Sequence, residues 1–415
     1  MSCHGTVTAD SSIRQVTSLH TARRAPTPAV PAMRLGMLST YPPVVCGLAT
    51  FASALERGLQ ALGHRVDMVG IDDCSGQSPA FGPIAGVLRH GSQRSAQRAA
   101  AALNACEVAI IQHEYGIFGG EDGIEVFDIL RDLTVPVLVV LHTVPVRPTP
   151  HQAAILVRLC ARADVVVVMT ESAGQRLGTL YPVDRQKVIT IAHGALVGNW
   201  DDEVLASSAD DPQPPDEQAH LLSWGLLGPG KGVERVIDAL GALARDGLHM
   251  RYTVAGRTHP KVAARQGESY RASLVERAHA NRVADLITFD QTYRDPEQLT
   301  RFIGDFSAVV MAYDSVDQVT SGVLVDSIAA GRPVIATAFP HAVEALGTGA
   351  GIVVPHQDQS ALIEAMASIV RDPSSLHHLT HQARAMAPTL SWTSIAGAYA
   401  RACAWVARDQ VAASW

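Results

Sequence analysis

The stretch Asp317 to Thr337, DQVTSGVLVDSIAAGRPVIAT, holds residues whose types and spacing suit one kind of ligand. Thr320 or Ser321 can cap a helix by accepting a backbone N–H, Gly331 suits a left-handed position at its end, and Pro333 stops it. A helix is therefore expected over roughly Ser321 to Ala330. The first N–H groups of a helix are unpaired and carry about half a positive charge, so the turn Thr320, Ser321, Gly322 is a seat for a phosphate. Asp326 lies about one turn further in, and helical side chains lean back toward the N-terminus. Its carboxylate would accept from hydroxyls just beyond an anion, such as those of a ribose. The stretch suits a nucleotide-linked ligand; an aspartate that merely favours its own helix dipole is the plainer alternative.

Other reactive groups sit where apolar runs end. In STYPPVVCGLATFASAL, Gly47 lies in a tight loop that feeds a helix, so backbone there can approach a diphosphate. In VVLHTVP, His142 ends a wholly apolar strand, and a polar residue there has either a ligand or a strong hydrogen-bond partner. His113 and Glu114 of QHEYGIFGGEDG are set to meet an acceptor hydroxyl, with a structural histidine as the alternative. Lys231 of WGLLGPGKG falls at an expected helix start, where a cation opposes the dipole unless it serves an anion drawn to the same place. A solvated lysine is the alternative. Arg257 of VAGRTHPKV again follows a strand.

These groups need elements to hold them. From Arg34 short apolar runs alternate with helical segments: RLGML, a helix from Gly47, VDMVGI, a helix near Gln93 to Ala105, EVAIIQ, a helix near Glu121 to Leu133, VPVLVVLH, ADVVVVM and KVITIAH. The alternation resumes after an Asp/Pro/Ser-rich segment, with AHLLSWG, a helix from Lys231 to Arg245, MRYTVAG, DLITFD, FSAVVMAY, RPVIAT and AGIVVP. Continuous apolar strands interleaved with amphipathic helices mean parallel sheets covered on both faces. The expected fold class is α/β, two Rossmann-like doubly wound domains facing across a cleft. Residues 1–32 read as a disordered extension, 33–199 as the first domain, 200–219 as a linker, 220–390 as the second domain and 391–415 as a helix crossing back to the first.

Composition excludes other classes. The 415 residues are 47% hydrophobic and only 18% charged, so sizeable cores are available. A net charge of −7 argues against nucleic acid as a partner, since phosphate neutralisation needs a basic excess. The six cysteines, Cys3, Cys46, Cys74, Cys106, Cys160 and Cys403, lack metal-ligand spacing and fit a reducing cytoplasm. No apolar run is long enough to span a membrane. Arg89, Arg94 and Arg98 form a local basic patch; a solvated face is the default and peripheral contact with an anionic membrane the sharper reading.

From Met33 to the final helix the chain resembles a family-four retaining glycosyltransferase of the GT-B fold. GLLGPGKGVERVIDAL resembles that family's glycine, arginine, lysine-glycine loop, and QVTSGVLVDSIAAGRPVIAT resembles its Glu-x7-Glu segment. The resemblance implies that Gly47 approaches the donor diphosphate, His142 contacts the transferred sugar, Lys231 and the 320–322 backbone hold the diphosphate, and Asp326 binds the ribose. Two departures stand out. The first glutamate is Gln318 and the second the shorter Asp326, while the diphosphate-gripping arginine is replaced by Leu226, leaving Arg257 as a substitute cation. Gln318 at the catalytic position can still bond sugar hydroxyls but supplies no negative charge. In this family the donor phosphate is thought to act as the base, so loss of the glutamate need not abolish transfer.

The resulting expectation is an enzyme that moves a hexose, glucosyl- or mannosyl-type, from a UDP- or GDP-sugar to a carbohydrate or other hydroxyl acceptor with retention. A GT-B phosphorylase using inorganic phosphate and a non-catalytic sugar-nucleotide-binding protein are the alternatives. No cofactor or metal is expected, because the acidic pairs Asp72-Asp73, Asp201-Asp202 and Asp210-Asp211 lie away from the 320–322 turn. Splitting the site between two domains also predicts closure around the diphosphate.

Overall fold

The computed structural model describes residues 30–44, 46–72, 84–199 and 219–413. The expected N-terminal extension up to residue 29, linker positions 200–218 and the residues Cys3, Cys74, Asp73, Asp201, Asp202, Asp210 and Asp211 lie outside the described residues. From Ala32 onward the chain forms one compact unit.

Two parallel sheets organise it. The first contains β1 (Arg34–Ser39), β2 (Arg65–Asp72), β3 (Ile84–Arg89), β4 (Val108–His113), β5 (Val137–Leu141), β6 (Val165–Val168) and β7 (Val188–Thr190), in the order β3-β2-β1-β4-β5-β6-β7. The second contains β8 (His220–Trp224), β9 (Arg251–Ala255), β10 (Ile287–Asp290), β11 (Ala308–Met311), β12 (Val334–Thr337) and β13 (Gly351–Val354), in the order β10-β9-β8-β11-β12-β13. Strands such as Val137–Leu141 are buried along their whole length, which is why they read as unbroken apolar runs rather than alternating ones. Strand order reverses between β1 and β4 and again between β8 and β11. At such switch points the loops leave on opposite faces, and the crevice between them is where open α/β sheets bind ligands. The architecture is thus a pair of Rossmann-like halves, the GT-B arrangement.

Three local departures from the sequence reading have physical causes. β3 was not anticipated: IAGVLR is an edge strand, mostly half-buried, and presents only Leu88 as a fully buried apolar residue. The helix expected near Glu121 to Leu133 is reduced to one 3-10 turn, Glu121–Gly123, and a short helix, Val126–Leu130, because Asp122 is left-handed at φ 50°. The helix expected from Lys231 begins instead at Val233, since Gly232 adopts φ 68° just before it. A Cβ on Gly232 would also collide with the Ala312 carbonyl.

The final helix, Trp392–Ala413, lies against the helix Gly47–Ala61 of the first half. Gly58 allows the approach: a Cβ there would stand 2.9 Å from both Ala396 Cβ and the Trp392 carbonyl oxygen. Ala396, Tyr399, Ala400, Cys403 and Val406 are buried along that helix, so the end of the chain completes the first half's packing.

Candidate functional site

A cavity of about 610 Å³ lies between the halves, lined by Gly47 and Phe51 from one side, Gly322, Asp326 and Trp224 from the other, and His193 between them. Two helix N-termini therefore open onto one space. In the helix Gly47–Ala61, Ala49 N–H is taken by the Cys46 thiol at 3.4 Å and Thr50 N–H by the Cys46 carbonyl at 3.2 Å. That leaves Gly47 and Leu48 N–H without a protein acceptor among the described residues. In the helix Gly322–Ala329, Ser321 Oγ accepts from Leu324 N at 3.3 Å, and Ser321 N–H donates to His341 Nδ1 at 2.9 Å. Gly322 and Val323 N–H remain for a ligand. The turn thus offers fewer N–H groups than Thr320, Ser321 and Gly322 together suggest, because His341 consumes one of them.

Gln318 closes that turn: its Nε2 donates to the Thr320 carbonyl at 2.9 Å, while its own carbonyl accepts from His341 N. Asp326 reaches the cavity with no hydrogen bond to its carboxylate among the described residues, and burial pushes its pKa up to about 7. A hydroxyl-bearing ligand would supply the missing donors.

Lys231 stands in the turn before its helix, with Nζ 4.2 Å from the centre of the Tyr313 ring. Burial lowers its pKa, and no carboxylate lies within ion-pair distance of it among the described residues. An unpaired ammonium held on an aromatic face is suited to an anion. Leu226 is 49% exposed at the rim of the same loop. The Leu227–Thr258 bridge brings Arg257 alongside Leu226, where its side chain is exposed and does not line the cavity.

His142 is fixed by three contacts. Its backbone N–H donates to the His113 carbonyl at 3.1 Å, its Nε2 bonds Gln112 Oε1 at 2.7 Å, and its ring meets Phe51 edge-on at 4.9 Å. Burial, with the neighbouring His193 and His113 charges adding to it, pushes the imidazole down to about 3. It is therefore a neutral hydrogen-bonding group at neutral pH.

His113 is corrected. It is fully buried, stacked on Phe118 and edge-on to Tyr115, with neither ring nitrogen bonded, so it cannot meet an acceptor hydroxyl in this structure. Glu114 is half-buried and accepts from the Thr143 hydroxyl and from Tyr115 N. Arg94 and Arg98 are exposed on the helix Gln93–Asn104, while Arg89 pairs with Asp72 at 3.7 Å. Among the described residues one group, Glu121, Asp122 and His151, has the spacing to hold a cation, and none of its members lines the cavity.

Sequence reasoning passed over His193, although it carries the signal that selected His142, a histidine shortly after an apolar strand. It also passed over Phe51, whose ring joins His142, His193 at 5.1 Å and Trp392 at 5.1 Å. A helix-borne phenylalanine reads only as core.

The two halves are bonded to each other beside the site. Glu344 of the helix Pro340–Leu346 accepts from Glu171 N at 2.8 Å, Ser172 N at 3.0 Å and Ser172 Oγ at 2.7 Å, capping the helix Glu171–Leu180 of the first half. Thr170 Oγ1 donates to the Val319 carbonyl at 3.0 Å and Arg176 Nη1 to the Asp317 carbonyl at 2.8 Å. Val319 itself is buried in the apolar cluster that holds Val168 and Ala173. The turn carrying Gln318 is thus seated in the first half.

Two doubly wound halves with facing helix N-termini define the class of GT-B glycosyltransferases. Sequence comparison agrees, with Glycosyltransferase Family 4 matching residues 45–195 and Glycosyl transferases group 1 matching residues 207–386. The chain belongs to the group 1, family-four glycosyltransferases, and it is an enzyme of that class. No curated protein matches it. Among solved structures, sucrose-phosphate synthase from Thermosynechococcus elongatus superimposes with a TM-score of 0.69 at 17% identity, over 92% of this chain and 100% of that one. A glycosyltransferase from Rickettsia africae gives 0.70 at 14%, over 91% and 99%. Anabaena HepE in complex with UDP and glucose gives 0.68 at 13%, over 89% and 99%. No helix among the described residues is long and apolar enough to cross a membrane.

Proposed function

We propose that this enzyme transfers a hexosyl group, of glucosyl or mannosyl type, from a UDP- or GDP-sugar to a hydroxyl acceptor with retention of anomeric configuration and without a metal. The observation that carries this reading is the single cavity onto which both the Gly47 and Gly322 helix starts open, with the unsatisfied Asp326 carboxylate one turn away. Paired N-termini suit a diphosphate, and the carboxylate suits the ribose hydroxyls next to it. The solved complexes of HepE with UDP, and with UDP and glucose, support the donor class. Lys231 supplies fixed positive charge to the leaving diphosphate, the role a metal fills elsewhere. His142, neutral and oriented by Gln112, hydrogen-bonds the sugar in transfer, and Gln318 shapes the turn and offers its amide oxygen. A phosphorylase would leave Asp326 without a ribose, which favours the nucleotide reading.

A thermal-shift screen of UDP and GDP identifies the nucleotide, and transfer or donor hydrolysis is then compared in Lys231→Ala and His142→Ala. Each substitution is expected to lower turnover at least about tenfold, the loss of one charged or well-oriented hydrogen bond in the transition state. Wild-type turnover in both would show that the site is elsewhere. Activity is expected to be unchanged in EDTA; complete, reversible loss would reveal a metal requirement.

A further inference from the structure

His193 is a polar side chain of the cavity to which the family resemblance assigns no role, and its ring stands against the start of the site helix. It leaves β7 three residues before, at the point where the chain departs from the first half. Its ring is wedged edge-on against Phe51, with centroids 5.1 Å apart, and tilted against Trp392 at 5.8 Å, so its orientation is fixed by packing. Nδ1 lies 2.7 Å from the Gly194 carbonyl oxygen. A carbonyl only accepts, so Nδ1 carries the proton and Nε2 is left as a bare lone pair. That lone pair faces the start of the second half's site helix: a Cβ on Gly322 would stand 3.5 Å from it.

An oxygen of an anion seated at the Gly322 and Val323 N–H groups would meet this lone pair unfavourably unless Nε2 gains a proton. No carboxylate bonds the ring. The groups around it are His142 from the end of β5, His341 from the helix Pro340–Leu346 and, elsewhere on the cavity wall, Asp326, Arg57 from the helix Gly47–Ala61 and Arg294, which is paired with Asp290. His341 is held neutral, since its Nδ1 accepts Ser321 N–H. Burial pushes His193 down to about 4 in the ligand-free protein, so any cationic form must be called up by a ligand. Leu226 stands where the family's second cation would be and Arg257 does not line the cavity; of the two arginines that do, Arg294 is paired with Asp290 at 2.6 Å and Arg57 donates to the Ser53 carbonyl.

We propose, resting on the nucleotide-sugar reading, that His193 is a further catalytic residue: it takes one proton from solvent when the nucleoside diphosphate enters and donates an Nε2–H bond to a diphosphate oxygen. As the acceptor hydroxyl oxygen bonds the anomeric carbon, that carbon's bond to the phosphate oxygen breaks, the electron pair stays on the diphosphate, which takes up the hydroxyl proton, and the imidazolium stabilises the charge that develops there. The proton returns to solvent when the nucleotide leaves. His193 thus adds, beside the site helix, a charge that exists only in the loaded enzyme.

Calorimetric titration of the full chain with UDP and with GDP, in phosphate-free buffers of different ionisation enthalpy at pH 7.5, counts protons exchanged on binding. Wild type is expected to take up close to one proton more than His193→Gln, with the nucleotide bound about tenfold more weakly by the variant. Asp326 sheds a proton when hydroxyls bond it, but it does so in both proteins, so the difference isolates His193. Turnover should fall more than KM rises, and the wild-type decline toward alkaline pH should flatten in the variant. If the variant does not fold, the nitrogen chemical shift of His193 Nε2 in the wild type reads the same event, moving to the protonated range on adding UDP or GDP. Equal proton uptake and affinity in variant and wild type, or an unprotonated Nε2 in the complex, would overturn this role alone. Wild type that binds neither UDP nor GDP would overturn the nucleotide reading and this inference together.

Discussion

At the scale of single residues, Asp326 shows how a binding site is maintained at the expense of stability. An unfolded aspartate titrates near 3.9, whereas burial raises Asp326 to about 7 in the fold. Between these values the folded state keeps a proton that the unfolded chain has lost, so stability falls as pH rises through the window, and the whole cost is present above pH 7. Asp326→Asn removes the ionisation and is expected to raise the melting temperature of the ligand-free protein at pH 8, with the gain shrinking toward pH 4. The same variant should lose nucleotide affinity about tenfold, as a charged acceptor of hydroxyl hydrogen bonds is gone. A melting temperature at pH 8 no higher than wild type would contradict the account.

The contrast between His113 and His142 belongs to the same scale. Both follow apolar runs in the sequence, and both were read as site residues. His113 is still inside β4, on the face shared with Ile111 and covered by Phe118, whereas His142 lies one residue past β5 and is bonded by Gln112 from the neighbouring strand. A strand buried on both faces gives no alternation from which to tell these directions apart.

At the scale of elements, the period of apolar runs was enough to place two parallel sheets and their covering helices. It could not show β3, whose edge position lets half its residues stay polar or small, nor the left-handed turn at Gly232 that separates Lys231 from its helix. Tertiary contacts decide both. The sequence leads one to expect the final helix to cross back to the first half, but the residue that permits its close approach to the helix Gly47–Ala61, Gly58, carries no sequence signal beyond its smallness. Gly58→Ala places a methyl 2.9 Å from Ala396 Cβ and the Trp392 carbonyl. Forcing the helices apart should destabilise the protein by about 1–3 kcal/mol. Urea unfolding measures this, and an unchanged midpoint would mean that the contact is looser than it stands.

At the scale of the whole molecule, the two halves that share the cavity are hydrogen-bonded to each other in this structure. Glu344, Thr170 and Arg176 link the halves, and Val319 anchors the site turn in the first half's core. Glu344→Ala removes three hydrogen bonds between the halves, leaving Thr170 as the cap of the helix Glu171–Leu180, and should let the ligand-free protein open, seen as a larger radius of gyration by small-angle scattering. Nucleotide should compact this variant and change wild type little. Identical scattering for both ligand-free proteins would mean that other contacts hold the halves together.

The return of the last helix to the first half has a consequence for how the protein is made. On the ribosome the first half emerges early, yet the partner for Gly58 and its neighbours, the buried row from Ala396 to Val406, is translated only after the second half. Until then the helix Gly47–Ala61 packs on β1 and β2 but its Gly58 side stays uncovered, and Phe51 lacks Trp392. The nascent first half must therefore wait, with a sticky helix face, through the synthesis of the entire second half. A premature stop before Trp392 would release a chain with that face still bare, which makes the return of this helix a checkpoint on whether the second half was translated through.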